Sequence, residues 1–196
     1  MIKIIAFDFG GVLYTYNHNK FMGEIARELK VSKKALEKSW TNPMKKFETG
    51  KIKEKHFWNM ILTKLKLKHD LRPLHDIAIN HFQPIKPNLS FLKKLKRKYR
   101  IALISNQTEW IDYLDNKYKF KKLFDYLIIS KDFNTRKPQK RIFNILIKLS
   151  KVSPSEIIFI DDDNYKSVVR SMNMDFVQYN SLEQLKKELN NSKVRL

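Results

Sequence analysis

Hydrophobic positions follow two different patterns along this chain. Between residues 15 and 86, apolar side chains recur every three or four residues, as on one face of an α-helix. The first such set is Phe21, Ile25, Ala26 and Leu29. No strand pattern occurs between Leu13 and Arg100, whereas after Pro87 short apolar runs alternate with helical stretches. The pattern therefore predicts a helical block followed by a series of strand–helix units.

Five apolar runs have the length of buried strands. They lie at residues 4–7, 101–104, 126–129, 157–160 and 176–179. The helices predicted around them cover residues 89–97, 109–118, 137–150, 165–172 and a last stretch from Leu182. Pro138 would occupy the first turn of the helix over 137–150. Repeated strand–helix units favour an α/β fold with a doubly wound, Rossmann-like parallel sheet.

The helical block follows the first strand directly. Ser32 is a predicted N-cap of a helix over 33–40, and Gly50 interrupts the pattern. We predict that residues 15–86 form an α-helical cap inserted into a core of residues 1–14 and 87–196. The alternative is that these helices pack on the sheet as part of a single core.

Composition limits the class of protein. A hydrophobic fraction of 42% is sufficient for a core, and the absence of cysteine excludes disulfides and thiolate metal sites. The first apolar run ends at Asp8, too early for a signal peptide or a membrane span. We expect a cytoplasmic protein with no membrane association, as a monomer or homodimer.

The formal net charge of +20 attracts polyanions, so nucleic acid is a possible partner. The favoured alternative is that the lysines solvate helix faces. Trp40, Trp58 and Trp110 could stack on bases, although helical spacing places the first two in a helical core.

Polar residues follow three of the predicted strands. Asp8 ends the first strand and precedes two glycines, Ser105 and Asn106 end the second, and residues 161–163 are three aspartates. Because the carboxyl ends of parallel strands share one edge of a sheet, we expect these groups to lie together. Lys137 is expected at the same edge. Taken singly, each group could instead be an ordinary turn, a helix cap or a solvated charge.

Together these groups suit phosphoryl transfer. Clustered carboxylates repel one another, and a hard cation such as Mg²⁺ neutralises them. Mg²⁺ also screens an anionic nucleophile from an anionic substrate. Ser105 and Lys137 can bind phosphoryl oxygens, and an aspartyl-phosphate on Asp8 is an established type of covalent intermediate.

Four motifs occur in a familiar order: FDFGGVL at 7–13, LISN at 103–106, TRKP at 135–138 and FIDDD at 159–163. With them the sequence resembles the haloacid dehalogenase-like (HAD) hydrolase superfamily, subfamily I, whose members carry an α-helical cap after the first motif. The segment ETGKIKEKHFW at 48–58 is similar to the cap of that branch. The resemblance covers essentially the whole chain.

The resemblance implies a role for each motif. Asp8 would be the nucleophile, Ser105 and Asn106 would hold the phosphoryl group, and Lys137 would orient both Asp8 and the phosphoryl group. The implied cofactor is Mg²⁺. Its implied ligands are Asp8, the backbone carbonyl of Gly10, Asp162 as the main acidic ligand, Asp161 in support and, less directly, Asp163.

The sequence departs from the family pattern at two positions. The family's phosphatases carry an acid–base aspartate two residues after the nucleophile, and this chain has Gly10 there. The family often has Asn or Asp four residues after the metal-binding acid, where this chain has Lys166, so Asn164 is a candidate substitute in a shifted register.

The predicted function is a Mg²⁺-dependent phosphatase that acts on a small phosphorylated metabolite, with weakened protonation of the leaving group. One alternative is a catalytically impaired protein of this fold that binds nucleic acid or another polyanion. A less favoured alternative is a 2-haloacid dehalogenase, which would use Asp8 without a metal.

Overall fold

Five parallel strands form one sheet in the computed structural model, which describes residues 1–192 and 194–195. The spatial order is β3-β2-β1-β4-β5. The strands are β1 Ile4–Phe7, β2 Arg100–Ser105, β3 Tyr126–Ile129, β4 Ile157–Asp161 and β5 Asp175–Gln178. The predicted α/β fold and parallel sheet are confirmed, with strand ends within one residue of the predicted ones.

The central strand β1 explains why the strand runs are continuously apolar. Ile5 and Phe7 pack into one apolar cluster, and Ile4 and Ala6 pack into a second cluster on the opposite face. Successive side chains of a strand point to opposite faces, so a strand covered on both sides needs apolar residues at every position.

Four helices form the helical block after β1, and a fifth helix leads from it to β2. The four are α1 His18–Glu28, α2 Lys33–Glu48, α3 Glu54–Leu65 and α4 Leu71–His81. The Oγ of Ser32 accepts a hydrogen bond from the Ala35 N–H, so the predicted N-cap of α2 is confirmed. The predicted end at residue 40 is wrong, because α2 continues through Pro43 to Glu48.

The helical block contacts the sheet through apolar side chains. Phe21, Trp40 and Phe57 belong to the same buried cluster as Phe7 and Ile160 of the sheet. The chain enters and leaves the block along neighbouring paths, since the Thr15 N–H donates to the Gln83 carbonyl and the Ile85 N–H to the Leu13 carbonyl. The division into a 15–86 cap and a surrounding core remains our proposal.

The remaining helices cover the sheet or connect its strands. They are α5 Lys86–Leu95, α6 Trp110–Tyr118, α7 Ser130–Phe133, α8 Lys140–Ser150, α9 Lys166–Arg170 and α10 Leu182–Asn191. The predicted helix start at 137 is wrong, because α8 begins three residues later. Asn106 holds the backbone of Lys137 on both sides, accepting from its N–H at 2.8 Å and donating to its carbonyl at 3.2 Å.

Within the described residues, no helix combines the length and the apolar character needed to cross a bilayer.

Gly50 and Gly23 offer a matched test of the contact between the end of α2 and the residues that directly follow β3. Gly50 has φ +71°, and a Cβ there would lie 2.1 Å from the Lys131 carbonyl oxygen. We expect Gly50→Ala to lower the free energy of unfolding by about 1–3 kcal/mol, measured by urea denaturation.

The control is Gly23→Ala inside α1, where a Cβ would have no neighbour within 4 Å. This change should raise the stability by about 0.5–1 kcal/mol, because alanine favours helix. Equal effects of the two substitutions would contradict a tight contact at Gly50.

Candidate active site

A cavity of about 470 Å³ opens at the carboxyl edge of the sheet, where β1, β2 and β4 end. Seven of the residues predicted from the sequence line it: Asp8, Gly10, Ser105, Asn106, Lys137, Asp162 and Asp163. Asp161, the eighth, is buried at the end of β4, next to Asp8 and Lys137. The edge lies at the topological switch point of the sheet, between β1 and β4, where ligands bind in open α/β folds.

The side chain of Asp8 is fixed at the end of β1. Its N–H donates to the Ile160 carbonyl of β4 at 2.9 Å, which continues the parallel ladder by one residue. Its Oδ1 lies 2.7 Å from the Lys137 Nζ. This ion pair encloses Oδ1. The Asp8 side chain is 12% exposed and the residue lines the cavity, so the carboxylate remains accessible from it.

The ammonium of Lys137 is buried between two carboxylates. Its Nζ lies 2.7 Å from Asp8 Oδ1 and donates to Asp161 Oδ2 at 2.5 Å. Burial disfavours the charged form, but the charges of Asp8 and Asp161 outweigh burial and raise the pKa of Lys137 above its ordinary value. Lys137 is therefore a permanent cation at this site.

The Asn106 side chain holds Lys137 in place. Its Oδ1 and Nδ2 are both engaged with the Lys137 backbone, as described above. The resemblance implied that Asn106 would hold a phosphoryl group. Asn106 and Ser105, which is buried at the end of β2, both line the cavity, so their role in holding a phosphoryl group stays a prediction. The Asn106 side chain also positions Lys137.

Three carboxylates converge beside this single ammonium. Ligand atoms of Asp8, Asp161 and Asp162 lie within 4.8 Å of one another. Burial and the charge of Asp8 raise the pKa of Asp161 to about 8, with Lys137 opposing the shift. Burial, Asp8 and Asp163 raise the pKa of Asp162 to about 6. Burial and the neighbouring carboxylates thus both disfavour ionisation of Asp161 and Asp162, and a divalent cation held by oxygen ligands would offset both effects.

The paired glycines let the first motif approach the second acidic cluster. Gly11 has φ +78°, and a Cβ there would lie 2.1 Å from Asp162 Oδ2. Only a glycine allows this backbone conformation together with this close contact. The neighbouring Gly10 lines the cavity, as the resemblance implies for a residue whose carbonyl binds a metal.

The helical block supplies the other wall of the cavity. Trp40, Met44 and Glu48, spaced four residues apart on α2, face it together with Tyr16. Glu48 Oε2 lies 2.9 Å from the Nε of Arg136, next to Lys137 in the chain. Sequence analysis did not select Glu48 or Arg136 as site residues. Both lie inside segments quoted for the resemblance, ETG and TRKP, which was the available signal.

The second departure from the family pattern lies at the start of α9. Asn164 Oδ1 accepts a hydrogen bond from the Lys166 N–H at 3.1 Å. Neither residue lines the cavity. The Asn164 side chain thus forms an Asx turn at the start of α9, and the structure gives no support for it as a substitute ligand.

Comparison with known families agrees with this geometry. The profile described as haloacid dehalogenase-like hydrolase matches residues 2–164. This chain belongs to that family. The match includes all four motifs and the whole helical block, so it covers each residue of the site described above.

A curated relative has a defined activity. This hydrolase is 27% identical to D-ribitol-5-phosphate phosphatase of Bacteroides thetaiotaomicron over 172 residues, which are 83% of this chain and 84% of the relative.

Solved structures of the family share the fold. A HAD family enzyme of B. thetaiotaomicron, in complex with magnesium and inorganic phosphate, matches with a TM-score of 0.83 at 19% identity, over 94% of this chain and 99% of the other. A HAD-like hydrolase of Porphyromonas gingivalis matches with 0.84 at 19% identity over 100% of both chains. L-2-haloacid dehalogenase of Xanthobacter autotrophicus matches with 0.64 at 18% identity, over 100% of this hydrolase and 85% of the dehalogenase. At these identities the likeness shows the fold alone.

Lys137→Met should destabilise this hydrolase strongly. The substitution leaves Asp8 and Asp161 buried without a cation, so we expect a loss of about 3–5 kcal/mol in urea denaturation without divalent cations. Carboxylates whose pKa is raised in the folded state disfavour folding once they ionise. Lys137 opposes the rise in the Asp161 pKa, so its removal raises that pKa further. The loss should therefore be largest at alkaline pH and shrink as the pH falls and the carboxylates take up protons.

Asp161→Asn in the same background is the control. It removes one of the two unpaired charges. The double variant should therefore lose less stability than the two single variants lose in total. Strict additivity, or a loss below about 1 kcal/mol for Lys137→Met, would contradict the buried triad.

Proposed function

We propose that this hydrolase is a Mg²⁺-dependent phosphatase that cleaves a small phosphomonoester through an aspartyl-phosphate on Asp8. The observation that carries the proposal is the position of Asp8, in a cavity, beside a permanent cation and within 4.8 Å of two further carboxylates. The polyol-phosphate activity of the curated relative and the magnesium and phosphate bound by the structural relative support it.

The chain's own groups divide the reaction between them. An Asp8 carboxylate oxygen forms a bond to phosphorus as the ester P–O bond breaks, and the alcohol leaves. Lys137 pairs with the Asp8 carboxylate and stabilises charge on the phosphoryl oxygens, while the Ser105 hydroxyl donates to one of them. Water then attacks phosphorus, which releases inorganic phosphate and restores the Asp8 carboxylate. Lys137 and Ser105 serve both steps from the same positions.

The residues present fit a magnesium ion. Their donor set is oxygen only, and the carboxylates outnumber the ammonium beside them. Asp8, Asp162 and the Gly10 carbonyl would hold the ion, with Asp161 in support. When bound, Mg²⁺ would supply Lewis-acid polarisation of the phosphoryl group and screening of Asp8 from the substrate's charge.

Leaving-group protonation distinguishes this chain within its family. Gly10 carries no side chain and can neither give nor take a proton, and general acid help is typically worth ~10²–10⁴-fold. Protonation of an alkoxide leaving group is therefore weakened unless another residue of the cavity provides it.

Two other functions are less consistent with the site. A dehalogenase would also use Asp8, but halide displacement gives no reason for the acidic cluster. A base-stacking surface is not supported by the tryptophans, because Trp40, Trp58 and Trp110 are all buried in one aromatic cluster. The substrate class that fits is a small phosphorylated metabolite.

Phosphate release from a metabolite panel, with and without Mg²⁺, tests the proposal. We expect turnover only with Mg²⁺ and a loss of at least about 10³-fold in Asp8→Asn, because the amide is a poor nucleophile. Activity that survives Asp8→Asn, or that needs no divalent ion, would refute the mechanism. Absence of all ester hydrolysis together with salt-sensitive RNA binding would favour a polyanion-binding protein.

Thermal unfolding tests the metal site without reference to turnover. Saturating Mg²⁺ should raise the melting temperature, since a ligand at 100 times its Kd stabilises the folded state by about 2.7 kcal/mol. Asp162→Asn should abolish most of this shift. Below about pH 6, the pKa of Asp162, protons should compete and the shift should decline.

Asp175→Asn is the matched control, because Asp175 is an exposed aspartate at the opposite, amino end of β5. It should keep the full Mg²⁺ response. A response that Asp162→Asn and Asp175→Asn share equally would place the ion elsewhere.

A further inference from the structure

Glu48 belongs to the helical block and lines the same cavity as the nucleophile Asp8. It is the last residue of α2, and its backbone carbonyl accepts a hydrogen bond from the Ser130 hydroxyl at 2.5 Å. Two residues later, Gly50 packs against the Lys131 carbonyl. These contacts fix the end of α2 against the residues that directly follow β3, so the Glu48 side chain enters the cavity from a defined position.

The Glu48 carboxylate and the Arg136 guanidinium form an ion pair in the cavity wall. Glu48 Oε2 and Arg136 Nε are enclosed and 2.9 Å apart, so the two groups satisfy each other there. The Glu48 side chain nevertheless keeps 16% of its surface exposed, and the residue lines the cavity. The pair therefore holds a carboxyl group in a fixed orientation while leaving part of it accessible to a ligand.

The charges around Glu48 come from several elements. Asp8 faces it from the end of β1, Arg136 and Lys137 from the segment before α8, and Lys45 from α2 itself. Tyr16 faces it from the segment after β1, where burial and then the charge of Glu48 raise the Tyr16 pKa to about 12. The carboxyl group therefore lies within the electrostatic reach of the nucleophile and of Lys137.

We propose that Glu48 is a catalytic residue that protonates the leaving oxygen of the substrate, the task that Gly10 cannot perform. The inference rests on the proposed phosphatase function. As Asp8 bonds to phosphorus and the P–O bond breaks, the Glu48 carboxylic acid gives its proton to the departing oxygen and the alcohol leaves. The Glu48 carboxylate then takes a proton from the water that attacks the aspartyl-phosphate, so both groups regain their starting states. Arg136 holds the carboxyl group in place throughout.

The protonation state of Glu48 suits this role. Burial raises its pKa to about 7, with Asp8 adding to the shift while Arg136, Lys137 and Lys45 oppose it. Below pH 7 the group carries the proton that the first step requires. Turnover limited by this proton should therefore fall as the pH rises above about 7.

His18 is the competing proton donor in the cavity. Its Nδ1 is already paired with the Tyr16 hydroxyl at 3.2 Å, and the residue is exposed. The Glu48 carboxyl group is held by Arg136 and by the fixed end of α2, which favours it over the exposed imidazole.

Glu48→Gln, with alkyl and aryl phosphates compared, tests the proposal. An alkyl leaving group needs a proton and p-nitrophenolate does not. We expect kcat for an alkyl phosphate to fall at least about tenfold while kcat for p-nitrophenyl phosphate changes less than about threefold. Glu37→Gln, on the exposed side of the same helix, is the matched control and should change neither rate. Adding Gly10→Asp to Glu48→Gln should restore alkyl turnover. The new Cβ at position 10 would lie 3.2 Å from the Cβ of Tyr16, so Tyr16 must move by a few tenths of an ångström.

The pH profile of the unaltered protein gives an independent test if Glu48→Gln fails to fold. Its alkyl turnover should decline above about pH 7 while its aryl turnover persists. Parallel profiles for the two substrates, equal losses of both activities in folded Glu48→Gln, or an alkyl-specific loss in His18→Gln instead, would each overturn the proposal. Failure of the phosphatase function would look different: the unaltered protein would hydrolyse neither ester, or Asp8→Asn would leave hydrolysis intact.

Discussion

One buried ammonium makes this site possible. The register of β1 and β4 pairs Phe7 with Ile160, so the residues that follow, Asp8 and Asp161, are carried to the same edge side by side. Two carboxylates this close repel each other, and burial removes the water that would screen them. Lys137, within 2.7 Å of both, compensates that repulsion. The fold can hold a nucleophile here because the lysine is held there too.

The lysine depends in turn on a second strand. Its backbone is fixed by the side chain of Asn106, just beyond β2, on the other side of β1 from β4. Three neighbouring strands thus contribute to one charge arrangement from distant parts of the chain. A parallel sheet achieves this because all its carboxyl ends share an edge, while its apolar clusters on both faces keep the strands in register.

The sheet and the polar residues at its strand ends could be predicted from the sequence, because both leave local signals in it. A strand such as β1, buried on both faces, must be apolar throughout, and Asp8 ends that run abruptly. The start of α8 was mispredicted because a tertiary contact with Asn106 overrides the helix preference of the residues after Lys137. The pairing of Glu48 with Arg136 leaves no periodic trace, since its partners are far apart in the chain and meet only when α2 packs on the sheet.

That packing is itself partly polar, which ties the cavity wall to the core. Glu54 Oε1 accepts from the indole N–H groups of Trp58 and Trp110, at 3.2 and 2.8 Å, and lies 2.9 Å from His75 Nδ1. One carboxylate thus joins α3, α4 and α6. Hydrogen bonds add a directional constraint to the apolar packing of these helices. The Ser130 hydroxyl, directly after β3, likewise holds the end of α2 through the Glu48 carbonyl, so the Glu48 side chain lines the cavity from a fixed helix end.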